Sequence, residues 1–200
     1  VFDELSTDYD IIRTFRDKKK IKKNNDDEIH FDLNDLKSYN SILKIKKINY
    51  IVHLASRIGW SGENISDMFQ ANVLAAGFLA QVARNHNAKI IFSSAALIHG
   101  TKKININPNT KISLDSPYME TKYLAERLIT SSEVNYCILR IAGIFGLNGP
   151  NHLGINKTIN QALKKEMPNQ AKNLQGKRNY IYVKDAAKLI KDVIKRDICG

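Results

Sequence analysis

Short apolar runs separated by helix-length amphipathic segments repeat from one end of this 200-residue chain to the other. Asp10 to Phe15, Glu28 to Phe31, Tyr50 to Ala55, Ala88 to Ser94, Asn135 to Ile141 and Tyr180 to Val183 have strand length. Leu36 to Ile45, Ile65 to Asn85, Ser116-Pro117 to about Thr130, Asn156 to Lys165 and a stretch from Asp185 read as helices. Strands that alternate with helices predict a parallel sheet with helices packed on its faces, so the expected fold class is α/β, doubly wound. Val1 to Leu5 reads as the tail of a first helix whose strand is missing. No repeat, low-complexity tract or long Pro/Gly linker divides the chain, which predicts one partial domain over residues 1–200.

A net charge of +11 admits nucleic acid, acidic lipid or an anionic small molecule as partner. The basic residues lack the aromatic interleaving of a single-strand binding groove, and abundant Lys, Asn and Ile throughout point to coding bias. No specific nucleic-acid partner is expected. The one dense basic run, Lys18, Lys19, Lys20, Lys22 and Lys23, sits beside Asn24, Asn25, Asp26 and Asp27 and reads as a solvated loop. Cys137 and Cys199 lack metal-ligand spacing and read as reduced thiols of a cytoplasmic protein. No stretch approaches 18 apolar residues and no signal-peptide pattern opens the chain, so neither a membrane partner nor secretion is expected.

Two motifs need context before they carry chemistry. Gly143, Gly146 and Gly149 spell G-x-x-G-x-x-G after a predicted strand. Pro150 and Asn151 follow, and the next helix leads to Met167-Pro168-Asn169-Gln170 rather than to a strand ending near a ribose-binding acid, so a pyrophosphate loop is not expected there. The spacing Tyr-x-x-x-Lys occurs twice, at Tyr118 and Lys122 and at Tyr180 and Lys184. The second pair falls on a predicted strand, where residues four apart are separated by about 13 Å. Tyr118 and Lys122 fall on a helix, one turn apart on one face. There, an ammonium favours the phenolate of a tyrosine that must move a proton near neutral pH.

Read in order, Phe31-Asp32-Leu33, Ile51-Val52-His53-Leu54-Ala55, Asn72, the run Phe92 to Gly100, Tyr118 with Lys122, Leu139-Arg140, and the run Arg178 to Asp185 resemble the NAD-dependent epimerase/dehydratase family of extended short-chain dehydrogenases/reductases. That resemblance implies a Rossmann-like fold and an enzyme acting on a nucleotide-diphosphate sugar, UDP-glucose 4-epimerase-like, or a related dehydratase or reductase, with NAD or NADP as cofactor. It implies that Asp32 and Leu33 contact the adenine, that Leu54 and Ala55 line the cofactor, that Ser93 lies beside the nicotinamide and that Asn72 lies near the cofactor. Tyr118 becomes the catalytic acid/base with Lys122 as partner, the ammonium also holding the nicotinamide ribose. Arg178 matches an arginine that grips the substrate diphosphate, residues from about 143 to 182 contribute to the substrate region, and a homodimer is compatible with the family.

Three departures from the family pattern stand out. The N-terminal strand with its glycine fingerprint is absent, which predicts poor cofactor binding by the chain as written, because the pyrophosphate then lacks a helix N-terminus. The chain stops at Gly200, before the rest of a substrate domain, so it reads as truncated at both ends. Ala95 stands where the family keeps a catalytic Ser or Thr; Ser94 is the nearest hydroxyl, but neighbouring strand residues face opposite ways. Arg16, after Ile11 to Phe15, is placed to pair with a 2′-phosphate and leans the cofactor toward NADP. The alternative reading is a dinucleotide-binding sensor or scaffold that kept the fold without the chemistry, which Ala95 favours and Tyr118 with Lys122 opposes.

Overall fold

A computed structural model describes residues 1–22, 25–59, 64–101, 105–107, 109–167 and 178–200. Lys23, Asn24, Pro168, Asn169 and Gln170 of the motifs above lie outside the described residues.

Alternation of side chains along the central strands sets the layers. Strand β3 (Tyr50–His53) pairs in parallel with β4 (Lys89–Ala95), which pairs in parallel with β5 (Asn135–Ile141). On β4, Ile90 and Phe92 point into one core with Ala75, Ala76, Ala80 and Ala83 of α4 (Ala75–His86) and with Ala125 and Ile129 of α5 (Pro117–Thr130). Ile91 points the other way and packs with Cys137, Ile190, Val193 and Ile194, the last three on α7 (Val183–Lys195). Small alanines let α4 lie close against the sheet while the branched strand residues fill both cores. The expected two-sided α/β architecture is therefore observed.

Two further parallel pairs flank this sheet, β1 (Arg13–Phe15) with β2 (Glu28–His30), and β6 (Gly143–Phe145) with β7 (Tyr180–Tyr182). The short helices α1 (Phe2–Leu5) and α2 (Tyr39–Leu43) and the longer α6 (Gly154–Leu163) complete the regular elements used below. The predicted strand from Asp10 contracts to three residues. Part of the basic run forms a single helical turn, Lys18–Lys20, capped by the Asp17 carboxylate on the Lys19 amide.

Strand β6, bracketed by glycines and following β5 after one residue, was not among the predicted strands. Its place depends on close packing: a Cβ at Gly143 would stand 2.9 Å from Tyr180, one at Gly146 2.6 Å from Val183, and one at Gly149 2.4 Å from Asn156. All three glycines therefore serve close approach to protein atoms, in keeping with the reading against a pyrophosphate loop. Lys184 lies on α7, so the geometric reason for setting aside its pairing with Tyr180 is a strand-to-helix junction rather than the continuous strand expected.

Helix α5 begins where the sequence places it. The Ser116 hydroxyl accepts the Met119 amide, and Pro117 occupies the first turn, where its missing N–H costs nothing. The segment before α4 is more unusual. A helical run over α3 (Ile65–Phe69) widens into a π turn at Gln70–Leu74 before α4 resumes, and Asn72 lies in that turn. Such turns recur at functional sites because they displace one side chain from the regular helical stripe.

Candidate active site

The loop after β3, the π turn and the first turns of α5 converge. The Arg57 amide donates to Asn72 Oδ1 at 2.7 Å, and Asn72 Nδ2 donates to the Arg57 carbonyl at 2.9 Å. Asn72 Nδ2 also donates to Thr121 Oγ1 at 3.0 Å, and the Thr121 hydroxyl donates to the Tyr118 carbonyl at 2.9 Å. One buried carboxamide thus ties the β3 loop to the turn carrying Tyr118 and Lys122. Replacing Asn72 with leucine keeps the volume and leaves these partners unpaired, which is expected to cost about 2 kcal/mol in urea unfolding. An unchanged midpoint would show that Asn72 is not a brace.

Lys122 has the most unusual surroundings. Its side chain is 1% exposed, its Nζ lies 4.1 Å from the centroid of the Phe92 ring, and its ammonium makes no hydrogen bond to any described residue. Burial lowers its pKa from 10.5 to about 8, with Glu126 one turn away pushing it back up. On the same ring, His53 stacks at 5.4 Å, and burial, with Lys122 second, lowers its pKa to about 3, so it is neutral. A cation that is charged at neutral pH, desolvated and supplied only with a ring face retains three unused donors.

Tyr118 lies one turn before Lys122, as the spacing predicts. Burial raises the pKa of its phenol above the usual 10.0, and the neighbouring Ser56 hydroxyl pulls it back down. Lys122 is not among the influences on Tyr118: sharing a helix face does not bring the two polar heads together, because the ammonium is drawn over Phe92. Ser56 was not anticipated from sequence, since only the fold brings the β3 loop to the phenol.

Other predicted site residues divide into two groups. Ser93 lies near the end of β4 with its hydroxyl donating to the carbonyls of His53 at 3.3 Å and Leu54 at 3.5 Å, and Leu54 and Ala55 are exposed beside it. Ser94 points to the Phe92 side of β4, where its Oγ is buried without a partner among the described residues, and Ala95 is buried at the strand end. The remaining residues lie apart. Asp32 follows β2, its carboxylate accepting the Asn34 amide at 3.0 Å, and the Leu33 carbonyl accepts the Tyr39 hydroxyl at 2.8 Å. Arg16 and Arg178 are exposed, after β1 and before β7, and no hydrogen bond or ion pair joins either to Tyr118 or Lys122.

Comparison with known proteins bears on what this arrangement is. The pattern of the NAD dependent epimerase/dehydratase family matches residues 3–197. The chain belongs to that family. Among curated members, the uncharacterized UDP-glucose epimerase YtcB of Bacillus subtilis (strain 168) is 26% identical over 159 residues, 75% of this chain and 50% of that protein. The UDP-glucose 4-epimerase of Lactobacillus helveticus is 28% identical over 131 residues, 62% of this chain and 40% of that protein. The chain thus spans about half the length of the curated family members it matches. A solved UDP-N-acetylglucosamine 4-epimerase from Methanobrevibacter ruminantium M1, in complex with UDP-N-acetylmuramic acid, superimposes with a TM-score of 0.73 at 26% identity, over 88% of this chain and 61% of that one. The family fold is the Rossmann-like arrangement described above. Among the described residues no helix is long and apolar enough to cross a membrane.

Proposed function

We propose that this chain forms the nucleotide-binding part of an NAD-dependent epimerase acting on a UDP-linked sugar. The buried Lys122 ammonium, which has no hydrogen-bond partner among the described residues, carries this reading, because adjacent ribose hydroxyls would satisfy it in a site closed to water. When bound, NAD supplies reversible hydride acceptance from a sugar carbon. Lys122 holds and orients the ribose, while Tyr118 moves the proton of the sugar hydroxyl at its phenolic oxygen. Ser93, Leu54 and Ala55 form the shelf beside them. Asp32 and Leu33 receive the adenine, Arg178 grips the sugar diphosphate, and residues from about 143 to 182 contribute to the substrate region. Asn72 acts by bracing the loop and α5 rather than by touching the nucleotide.

NAD is favoured over NADP by the family to which the chain belongs. A homodimer is supported by Leu74, Leu124 and Leu128, which are exposed on two helices joined where Leu128 meets Gly77. Ala95 supports a second reading, a protein that binds the dinucleotide without turnover, because it offers no hydroxyl to the reacting oxygen. In a protein of full family length that contains this chain, conversion of UDP-glucose to its 4-epimer, followed chromatographically with and without NAD, separates the two. NAD-dependent conversion is expected; binding of NAD with no conversion of UDP-glucose or other UDP-sugars would favour the second reading.

A further inference from the structure

Glu126 sits one helical turn beyond Lys122 on α5, with its side chain 3% exposed. Its carboxylate is not spent on the lysine. Arg140 on β5 takes both oxygens, Nε to Oε1 at 3.1 Å and Nη2 to Oε2 at 2.8 Å, a bidentate geometry that fixes the carboxylate in direction as well as distance. The third nitrogen, Nη1, lies 3.4 Å from Nε2 of His99, itself buried behind the end of β4.

Building on the function proposed above, we propose that Glu126 is the counter-ion of Lys122, held by Arg140 where it acts on the ammonium through charge alone and leaves its hydrogens free for the nucleotide ribose. Glu126 and Arg140 are then positioning residues. A carboxylate that closed directly on Lys122 would satisfy the ammonium and compete with the ligand. Without a carboxylate, burial would push the proton off. The clamp avoids both outcomes, and the charges fit it. Lys122 and Arg140 are two cations sharing one carboxylate; His53, facing Lys122 from β3, is neutral, and Tyr123 on α5 and His99 are the other titratable groups beside Arg140. One carboxylate therefore serves two cations, of which Lys122 is buried while the Arg140 side chain is 35% exposed. Desolvating such a group is costly, so a specific task for it is a better account than stability alone.

The experiment follows the Lys122 titration in the unliganded chain by NMR of isotope-labelled lysine side chains, with the signal assigned by its loss in Lys122→Met. Glu126→Gln keeps the shape and one acceptor for Arg140, and is expected to move the Lys122 midpoint down from about 8 by about one pH unit or more. Arg140→Met removes a cation and releases the carboxylate toward the lysine. It is expected to move the midpoint up by a similar amount while weakening NAD binding at pH 7 about tenfold. If Glu126→Gln does not fold, Glu126→Asp, which draws the charge back from Lys122, is expected to give a downward shift of the same sign. Midpoints that stay fixed in the folded variants overturn the proposal and leave the functional reading intact. Midpoints that move as expected, with NAD affinity indifferent to Lys122→Met, would support the counter-ion and overturn the functional reading instead.

Discussion

Lys122→Met is expected to make the unliganded protein more stable at pH 7, by about 1–3 kcal/mol in urea unfolding. The reasoning starts from the lowered pKa of Lys122, from 10.5 to about 8. That lowering corresponds to on the order of 3 kcal/mol of folding free energy spent on keeping a desolvated ammonium charged. Loss of its contact with the Phe92 face offsets part of the gain, about 1–2 kcal/mol. The sign with pH follows from proton counts. Below pH 8 the lysine is charged in the folded and unfolded chains alike and the full cost is present. Between about 8 and 10.5 the unfolded chain binds a proton that the folded chain does not, so the wild type gains stability as pH rises through that window. The advantage of Lys122→Met should therefore shrink across that window, while other titrating groups cancel in the comparison. A lysine whose removal stabilises the fold is retained for another reason, which is the usual signature of a binding group. Destabilisation at pH 7 would mean that the ammonium has a protein partner after all.

In active protein, Tyr118→Phe should leave folding and nucleotide affinity nearly unchanged and lower turnover of a UDP-sugar by about 100- to 10,000-fold, the usual worth of positioned acid/base catalysis. The loss should fall on kcat rather than mainly on KM, because the phenolic oxygen matters when the proton moves. Burial keeps this phenol protonated in the unliganded chain, and Ser56 is the one group lowering its pKa. Ser56→Ala should therefore raise the pH at which the phenolate forms, read as tyrosinate absorbance after subtraction of the Tyr118→Phe spectrum. Unchanged turnover in Tyr118→Phe would show that another group moves the proton.

Elements whose signals are local were legible before the structure. Ser116 and Pro117 announce the start of α5, and the apolar alternation of residues 135–141 matches β5 along its whole length. Local signals also put Tyr118 and Lys122 on one helix. They did not reveal the surroundings of either side chain. The Lys122 ammonium rests on Phe92, thirty positions earlier, and Glu126 on α5 is held by Arg140 from strand β5. Strand β6 was missed for a related reason: glycine-flanked Gly143–Phe145 has little strand propensity of its own and becomes a strand because β7 pairs with it and Tyr180 packs over Gly143. The π turn at Gln70–Leu74 has no sequence signature, and its effect lies in where it sends the Asn72 carboxamide. Ordered motifs identified the family, whereas the electrostatics of the site came only from through-space neighbours.

Calorimetric titration of NAD into the wild type and Lys122→Met, at pH 7 and at pH values above 8, tests the central claim most directly. If the buried Lys122 ammonium is what receives the nucleotide ribose, wild-type affinity should fall about tenfold for each pH unit above about 8, as Lys122 loses its proton. Lys122→Met, although the more stable protein, should bind at least about tenfold more weakly at pH 7 and show no such pH dependence. Equal affinities at pH 7, with the same pH dependence in both proteins, would contradict the assignment of Lys122 as the nucleotide-binding cation.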